Sequence, residues 1–496
     1  MKEFDRYDVI SLGMIFLLSL LKAVQFFSLP QFVDGYYHIS AANAFIHSGG
    51  WVGWDWWSFA PQGRPHLYPP LYHLILVFLT KAGLSGLNAL RSTEVAVCPL
   101  FFGVFWFVCK KLNGPRFAFW ALAALSSFFP FFSSVSSNVA ASLAMVLGFL
   151  SWLFLYKDRW ISAGICLALA FYAHTALAAV FLFSFLAVMI FDVSLRRAAS
   201  KIIFLGLFLA GPFLLHQLRY LSYLNITVLK EAGFIQFSLL LIPAGLWAVF
   251  SARPNKPLVI LFWGMLAGSV IVFIKYPYRI FSSQGMVAVA LLAAFGFDKF
   301  LAAAAPAKVK AISLGAAVMF LVFHPVLGFQ DDQPRLDLVD STYFDLVSAK
   351  DKQMFEFQSF LHPKFYDPIV AVIKANTGPQ DIISSNVGIA GQIFSALTDR
   401  PSANSMLSEV VGKDTDIHLG YAKVIVWMKL AIAQQDKVLA QMDLSKVYEN
   451  DVAAVFINRN YTPSSKVIPA KLGFGLIVFI VSAFILAVFW DNFKLA

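Results

Sequence analysis

The chain alternates long apolar runs with short polar linkers as far as His324 and then changes character. A helix crosses a bilayer with roughly 20 apolar residues, within a range of about 17–25. Runs at or near that length predict spans at 9–29, 94–109, 116–132, 138–155, 160–173, 175–191, 201–216, 235–250, 257–274, 284–301, 308–324 and 469–490. Pro70–Ala82 is apolar but short, and predicts a helix lying along the outer interface rather than a crossing. Beyond residue 330 the runs shorten and alternate. Pro368–Asn376 and Val387–Leu397 predict helices, Asp381–Ser385 and Val452–Ile457 predict strands, and Tyr421–Met442 predicts a long amphipathic helix.

Charge gives these runs a direction. Lys110, Lys111 and Arg116 share one linker; Lys157 and Arg159, then Arg196, Arg197 and Lys201, then Arg253 and Lys256, then Lys299, Lys308 and Lys310 mark the others. With the spans above, all fall on the side of Lys2 and Arg6, which the positive-inside rule makes cytoplasmic. The same assignment sends all 9 histidines to the outside or to outer helix ends, together with the sequons Asn225-Ile226-Thr227 and Asn460-Tyr461-Thr462. The opening segment carries Lys22 and lacks a small-residue cleavage site, so it predicts a retained helix rather than a signal peptide. The expected architecture is an all-α polytopic membrane domain of about 12 transmembrane helices. It covers 1–328 and has a large first outer loop at 30–93. A small extracytoplasmic α/β domain follows at 329–466, then a final transmembrane helix and cytoplasmic tail at 467–496.

Composition agrees and removes alternatives. The chain is 59% hydrophobic and 13% charged, against roughly 45–50% and 25% in soluble domains. The net charge of +10 is accounted for by the cytoplasmic linkers, so no nucleic-acid partner is expected. Cys98, Cys109 and Cys166 lie in apolar runs and offer neither a disulfide framework nor a zinc site. The chain contains no P-loop, no Rossmann glycine pattern, no His-Glu-x-x-His and no Gly-x-Ser-x-Gly.

Chemistry concentrates in Phe32–Tyr72, the most polar and aromatic stretch of the first half. Loops this long are functional or disordered, and disordered ones are poor in aromatics. Asp34 lies just past the first helix. One reading makes it the N-cap of a helix beginning near Tyr36; the other makes it a general base. His38, four residues on, shares its helical face. Asp55 sits among Trp54, Trp56 and Trp57; these are either an interfacial belt or a sugar site, with aromatic faces on the ring and Asp55 on its hydroxyls. Arg64 and His66 flank Pro65 as solvated loop residues or as a grip on a lipid phosphate. Lys275, Tyr276, Tyr278 and Arg279 form a second group at an outer helix end, where cations oppose the charge rule. They contact headgroups or clamp a leaving phosphate. His174 and Asn138 are polar outer residues between spans.

These motifs, in this order, resemble the GT-C superfamily of membrane glycosyltransferases, and most the catalytic subunit of oligosaccharyltransferases and its archaeal relatives. The resemblance rests on Asp34-Gly35-Tyr36-Tyr37-His38, Pro61-Gln62-Gly63-Arg64, Tyr68-Pro69-Pro70-Leu71, Pro130 before the second outer turn, and Tyr278-Arg279-Ile280. It implies that Asp34 lies in the catalytic site, that Arg279 contacts the phosphate of a polyprenyl-linked sugar donor, and that the outer domain assists the acceptor. The chain departs from the oligosaccharyltransferase pattern in three ways. Its second outer loop, 133–141, has no acid; the Trp-Trp-Asp signature is missing from the outer domain; and the acidic motif of the later outer loop has no counterpart. These departures argue against protein N-glycosylation and against a bound Mg²⁺ or Mn²⁺.

The expected function is transfer of a sugar from a polyprenyl-phosphate (dolichyl-type) donor, with inversion, to a glycan, lipid or protein acceptor outside the membrane. The expected catalytic residues are Asp34 and His38. Arg279, Lys275 and Arg64 are expected on the donor phosphate, and Asp55, Trp54, Trp57, Tyr37, His66, His174 and Tyr278 on sugar or acceptor, with no metal. The alternatives are oligosaccharyl transfer to asparagine, a non-catalytic relative, and a lipid or solute transporter. Repeated halves and broken midplane helices, which mark many transporters, are not visible.

Overall fold

Ion pairs at one end of the bundle show how the apolar runs pack. The computed structural model describes residues 5–493 apart from 31, 225–234, 252–256, 304–310, 312–314, 316–318, 331–332, 340, 346–362, 406–418, 430–438, 440 and 463–465. The helices run α1 (Arg6–Val24), α2 (Asp34–Ser48), α3 (Leu71–Lys81), α4 (Gly86–Asn113), α5 (Pro115–Ser127), α6 (Phe129–Ser137) and α7 (Val139–Tyr156). They continue as α8 (Trp160–Ala173), α9 (Thr175–Phe191), α10 (Arg196–Arg219), α11 (Leu241–Ser251), α12 (Pro257–Val272), α13 (Pro277–Phe281) and α14 (Met286–Ala303). A reciprocal capping box between Asp5 and Asp8 starts α1. Asp8 also pairs with Lys110 of α4 at 2.7 Å, and Arg116 of α5 donates to Asp298 of α14 at 2.5 Å. Residues that the charge pattern put on one side therefore do meet at one end.

Among the described residues, Arg6–Val24, Gly86–Asn113, Val139–Tyr156, Arg196–Arg219 and Pro277–Lys299 are long and apolar enough to cross a membrane. Trp160–Ala173, Thr175–Phe191 and Pro257–Val272 are shorter apolar helices of the same bundle. The fold is a polytopic helical membrane architecture. Its core is aromatic: Trp152 is fully buried, donates to the Ser184 hydroxyl at 2.8 Å and meets Phe149 and Phe181 edge-on at 5.3 Å. Between α9 and α12 the packing is backbone to backbone. A Cβ on Gly264 would lie 2.7 Å from Ser184 Cα, and one on Gly268 2.7 Å from Phe183 Cβ.

Several expected elements differ. The run 116–132 is two helices, because Phe128 is extended and Pro130 restarts the chain in α6. The expected span at 235–250 begins only at Leu241; before it, β4 (Phe237–Ser238) pairs with β5 (Val326–Gln330), which pairs in turn with β6 (Gln333–Asp337). The expected boundary near residue 328 thus falls inside a strand. Most of the expected span 308–324, and the Asn225 sequon, lie outside the described residues.

The C-terminal unit carries α15 (Asp367–Asn376) and α16 (Gly388–Thr398) around a four-stranded sheet. Its strand order is β7 (Ile383–Ser385), β8 (Val424–Met428), β10 (Ala453–Asn458), β9 (Leu444–Glu449), with β7 and β8 parallel and the other pairs antiparallel. The expected long helix at Tyr421–Met442 is incorrect over β8. Val424-Ile425-Val426-Trp427-Met428 is buried on both faces, so its apolar run carries no period-two signal; residues 430–438 of that expected helix lie outside the described residues. α17 (Phe474–Phe493) closes the chain, led in by β11 (Leu472–Gly473), which pairs with β1 (Gly50–Trp51). The first loop and the last helix are therefore hydrogen-bonded to each other.

Gly264→Leu is expected to force α9 from α12 and to cost about 1–3 kcal/mol, the range for overpacking. A lowered unfolding temperature in detergent checks this; an unchanged one excludes the close approach.

Candidate active site

The site is built on the first turn of α2. Val33 precedes that helix in a helical conformation, and no side chain caps it. Asp34 is thus the first residue of the helix and not its cap, and its carboxylate is left for other work. Two features hold this turn. Arg91 of α4 donates at 3.0 Å to the backbone carbonyls of both Phe27 and Leu29, in the segment that feeds α2. Gly35 allows α2 to lie against α4, since a Cβ there would come within 2.9 Å of Leu90 and of Pro30.

Asp34 lines a cavity of about 320 Å³ with Tyr37 and His38 on the same helix. Arg279 lines the same cavity from α13. Its Nε donates to the Tyr278 hydroxyl at 2.9 Å, and the rings of Phe273, Tyr276 and Tyr278 surround the guanidinium at 6.0, 5.7 and 5.6 Å. Asp34 is exposed only in the sense that it faces this cavity, and the protein around it displaces bulk solvent. That burial raises its pKa above the ordinary carboxylate value, and the positive charge of Arg279 offsets part of the rise. Asp34 is therefore a stronger base than a surface aspartate.

Behind Asp34 stands a cluster of imidazoles. His38 Nδ1 and His73 Nε2 of α3 are hydrogen-bonded at 2.9 Å, and the His66 ring lies edge-on to His73 at 5.2 Å. Burial, aided by the neighbouring His174 and His66, lowers His38 to about 3. Burial likewise lowers His66 to about 4, although Asp55 pulls the other way. Both are neutral at pH 7 and act as hydrogen-bonding groups, not acids. His174 sits on the cavity wall at the elbow between α8 and α9.

Other expected site residues are placed elsewhere. Lys275 is exposed on the turn after α12 and does not line the cavity. Arg64 is buried, 3.9 Å from Asp55 and 4.7 Å from the centre of the Phe59 ring. The two lie opposite each other where β2 (Trp54–Asp55) pairs with β3 (Arg64–Pro65). Asp55 accepts from the amides of Trp57 and Ser58 at 3.1 and 3.0 Å, so it holds the loop's own turn. Trp54 donates to the Gln62 carbonyl at 2.9 Å, and Trp57 is fully buried and stacked on His47 at 4.7 Å. His66 is also buried away from the cavity wall, and Tyr278 serves Arg279. A tryptophan–aspartate pattern that suggested a sugar site is thus the packing of the loop.

The cavity also holds residues that the sequence expectation did not assign. Tyr68, Gln217 and Asn138 line it, and so does Gln392 of α16, whose Nε2 donates to Ser40 Oγ on α2 at 2.7 Å. The C-terminal unit therefore forms part of the wall. No local signal marks Gln392, one polar residue on an amphipathic helix far along the chain. Among the described residues, no group of three or more His, Cys, Asp or Glu is arranged to hold a metal ion.

Arg64→Ala is expected to act on stability: stripping one partner from a buried pair costs about 3–5 kcal/mol. Thermal unfolding should fall sharply. A stable Arg64→Ala protein excludes the assignment of Arg64 to the loop core.

No protein-family model matches this chain, and no curated protein matches it in sequence. Solved structures match it in fold. ArnT from Cupriavidus metallidurans, bound to undecaprenyl phosphate, superposes with a TM-score of 0.52 at 13% identity over 92% of this chain and 99% of that one. The archaeal oligosaccharyltransferase AglB from Archaeoglobus fulgidus, in complex with an inhibitory peptide and a dolichol-phosphate, superposes at 0.51 with 11% identity over 84% and 69%. The Archaeoglobus fulgidus oligosaccharyltransferase with Zn and sulfate gives 0.53 at 11% over 84% and 67%. At 11–13% identity the likeness is one of fold, and along most of its length the chain has the GT-C fold that these structures share.

Proposed function

We propose that this protein is a glycosyltransferase that moves a sugar from a polyprenyl-phosphate donor to an acceptor at the extracytoplasmic membrane face, with inversion. The observation that carries the reading is that Asp34 and Arg279, from opposite ends of the bundle sequence, line one cavity. A base and a cation facing one small space are what an in-line displacement at an anomeric carbon requires. The fold likeness to ArnT and AglB, both with a polyprenyl or dolichyl phosphate bound, supports a lipid-linked donor.

In this reading Asp34 takes the proton from the acceptor's hydroxyl or amide. The acceptor attacks the anomeric carbon, the bond from that carbon to the phosphate oxygen breaks, and its electron pair leaves with the lipid phosphate. Arg279 holds that anion, with its fork kept in place by Tyr278 and the surrounding rings. Burial raises the pKa of Asp34 and so makes its carboxylate a better proton acceptor than a surface aspartate. His38, held neutral by burial, contributes hydrogen bonds and no charge. Lys275 and Arg64 have no part in the clamp, since neither lines the cavity. Oligosaccharyl transfer to asparagine is the second reading, favoured by the likeness to AglB. Sequon-peptide glycosylation that depends on Mn²⁺ would select it.

Asp34→Asn should lower turnover by roughly 10²- to 10⁴-fold, the share of a general base. The same variant should unfold at no lower temperature. An acid whose folded pKa is raised makes the folded state less stable as pH climbs through that pKa, so removing the charge removes a cost at neutral pH. Near-normal turnover excludes Asp34 as the base. Arg279→Ala should raise donor KM roughly 10- to 150-fold, the equivalent of a hydrogen bond to a charged group at about 1.5–3 kcal/mol; unchanged donor affinity sinks the clamp. The wild-type rate should fall on acidification through a single limb above the usual carboxylate range, as Asp34 protonates. A rate that holds down to pH 4 contradicts the raised pKa.

A further inference from the structure

Two neutral polar side chains, Asn138 and His174, line the cavity with Arg279. Asn138 caps α7: its Oδ1 accepts from the Ala141 amide at 3.1 Å, which leaves its Nδ2 hydrogens for the cavity that it lines. Among the described residues, that NH₂ group donates to nothing. His174 caps α9 in the same manner, its Nδ1 accepting from the Leu177 amide at 3.4 Å. An imidazole that accepts at Nδ1 carries its one neutral-form proton on Nε2, and His174 Nε2 also has no partner among the described residues. Both residues line the cavity beside Arg279. In each case the helix uses up the acceptor atom, so what remains is an N–H.

The two elbows are also tied to the Arg279 segment. Ser134 of α6, the helix that ends at Asn138, is bonded to Ser283 at 2.7 Å and accepts from Gln284 Nε2 at 2.9 Å. Ser283 and Gln284 follow α13, which carries Arg279. Burial lowers the pKa of His174 to about 3, and the nearby charge of Arg279 adds to the effect, so the ring stays neutral. The second outer loop, Ser133–Ala141, supplies no carboxylate, so this wall offers donors where an acid would offer metal ligands.

We propose that Asn138 Nδ2 and His174 Nε2 complete, with Arg279, a metal-independent binding site for the phosphate of a lipid phosphomonoester or phosphodiester. This rests on the reading of Arg279 as the phosphate clamp. The two neutral N–H groups take oxygens that the guanidinium leaves, and the site holds its anion without a divalent cation.

Substitutions that keep the cap and change the donor separate this role from a merely structural one. Aspartate caps a helix as well as asparagine does, so Asn138→Asp retains α7 and replaces the NH₂ with a carboxylate. The full-length protein in detergent, with EDTA present, is titrated with farnesyl phosphate, and farnesol serves as the control for the lipid tail. Wild type is expected to bind the phosphate at least tenfold more tightly than the alcohol. Asn138→Asp and His174→Asp should each weaken farnesyl phosphate binding by tenfold or more, with the unligated unfolding temperature held. His174→Asn, which keeps both a cap and an N–H, should bind within about threefold of wild type. If Asn138→Asp and His174→Asp bind as wild type does while Arg279→Ala does not, this inference is overturned and the clamp stands. If Arg279→Ala also binds normally, or wild type does not distinguish phosphate from alcohol, the phosphate reading of the cavity fails as a whole. Binding that appears only when Mn²⁺ replaces EDTA overturns the metal-independent site.

Discussion

Everything at the site depends on one electrostatic arrangement: a carboxylate and a guanidinium line the same cavity. Burial destabilises the charge on Asp34 more than Arg279 relieves it, so the acid stays basic although a cation is present. Arg279 is positioned by the Tyr278 hydroxyl and by the rings of Phe273, Tyr276 and Tyr278.

The bundle delivers that arrangement through its elbows rather than its helix middles. Capping atoms at Asn138 and His174 end one helix and start the next, and they put polar groups where the apolar spans stop. The α1–α2 elbow is pinned by a buried arginine on two backbone carbonyls, which fixes the turn that bears Asp34. At the other end of the bundle, Asp8 with Lys110 and Arg116 with Asp298 fasten the helices. The cavity lies among the helix ends at the elbows, with Gln392 of the C-terminal unit as part of its wall.

The large first loop illustrates how one stretch serves two purposes. Its beginning, Asp34 to His38, faces the cavity. Its middle, Trp54 to Arg64, folds on itself through Asp55, Arg64 and the tryptophans and joins the last segment through β1 and β11. Tryptophan and aspartate side by side have the same composition whether they bind a sugar or satisfy one another. Here Asp55 Oδ1 accepts from the amides of Trp57 and Ser58, and Oδ2 is buried 3.9 Å from Arg64 Nε, within the loop's own core.

Hydropathy and charge along the chain were enough to place most of the helices and to put Lys110 and Arg116 at the same end as the N-terminus. These are local or additive properties: a run of apolar residues is helical in lipid whatever its neighbours, and each linker cation contributes on its own. Tertiary structure alone decided which polar residues share a cavity. Arg64 and Arg279 carry the same local signals, a guanidinium among aromatics and proline beside a helix end, yet one is consumed by Asp55 and Phe59 and the other faces Asp34. The difference lies in burial and in partners brought from distant segments. Those set a group's charge, its tautomer and its remaining hydrogen-bonding capacity, and no window of sequence contains them.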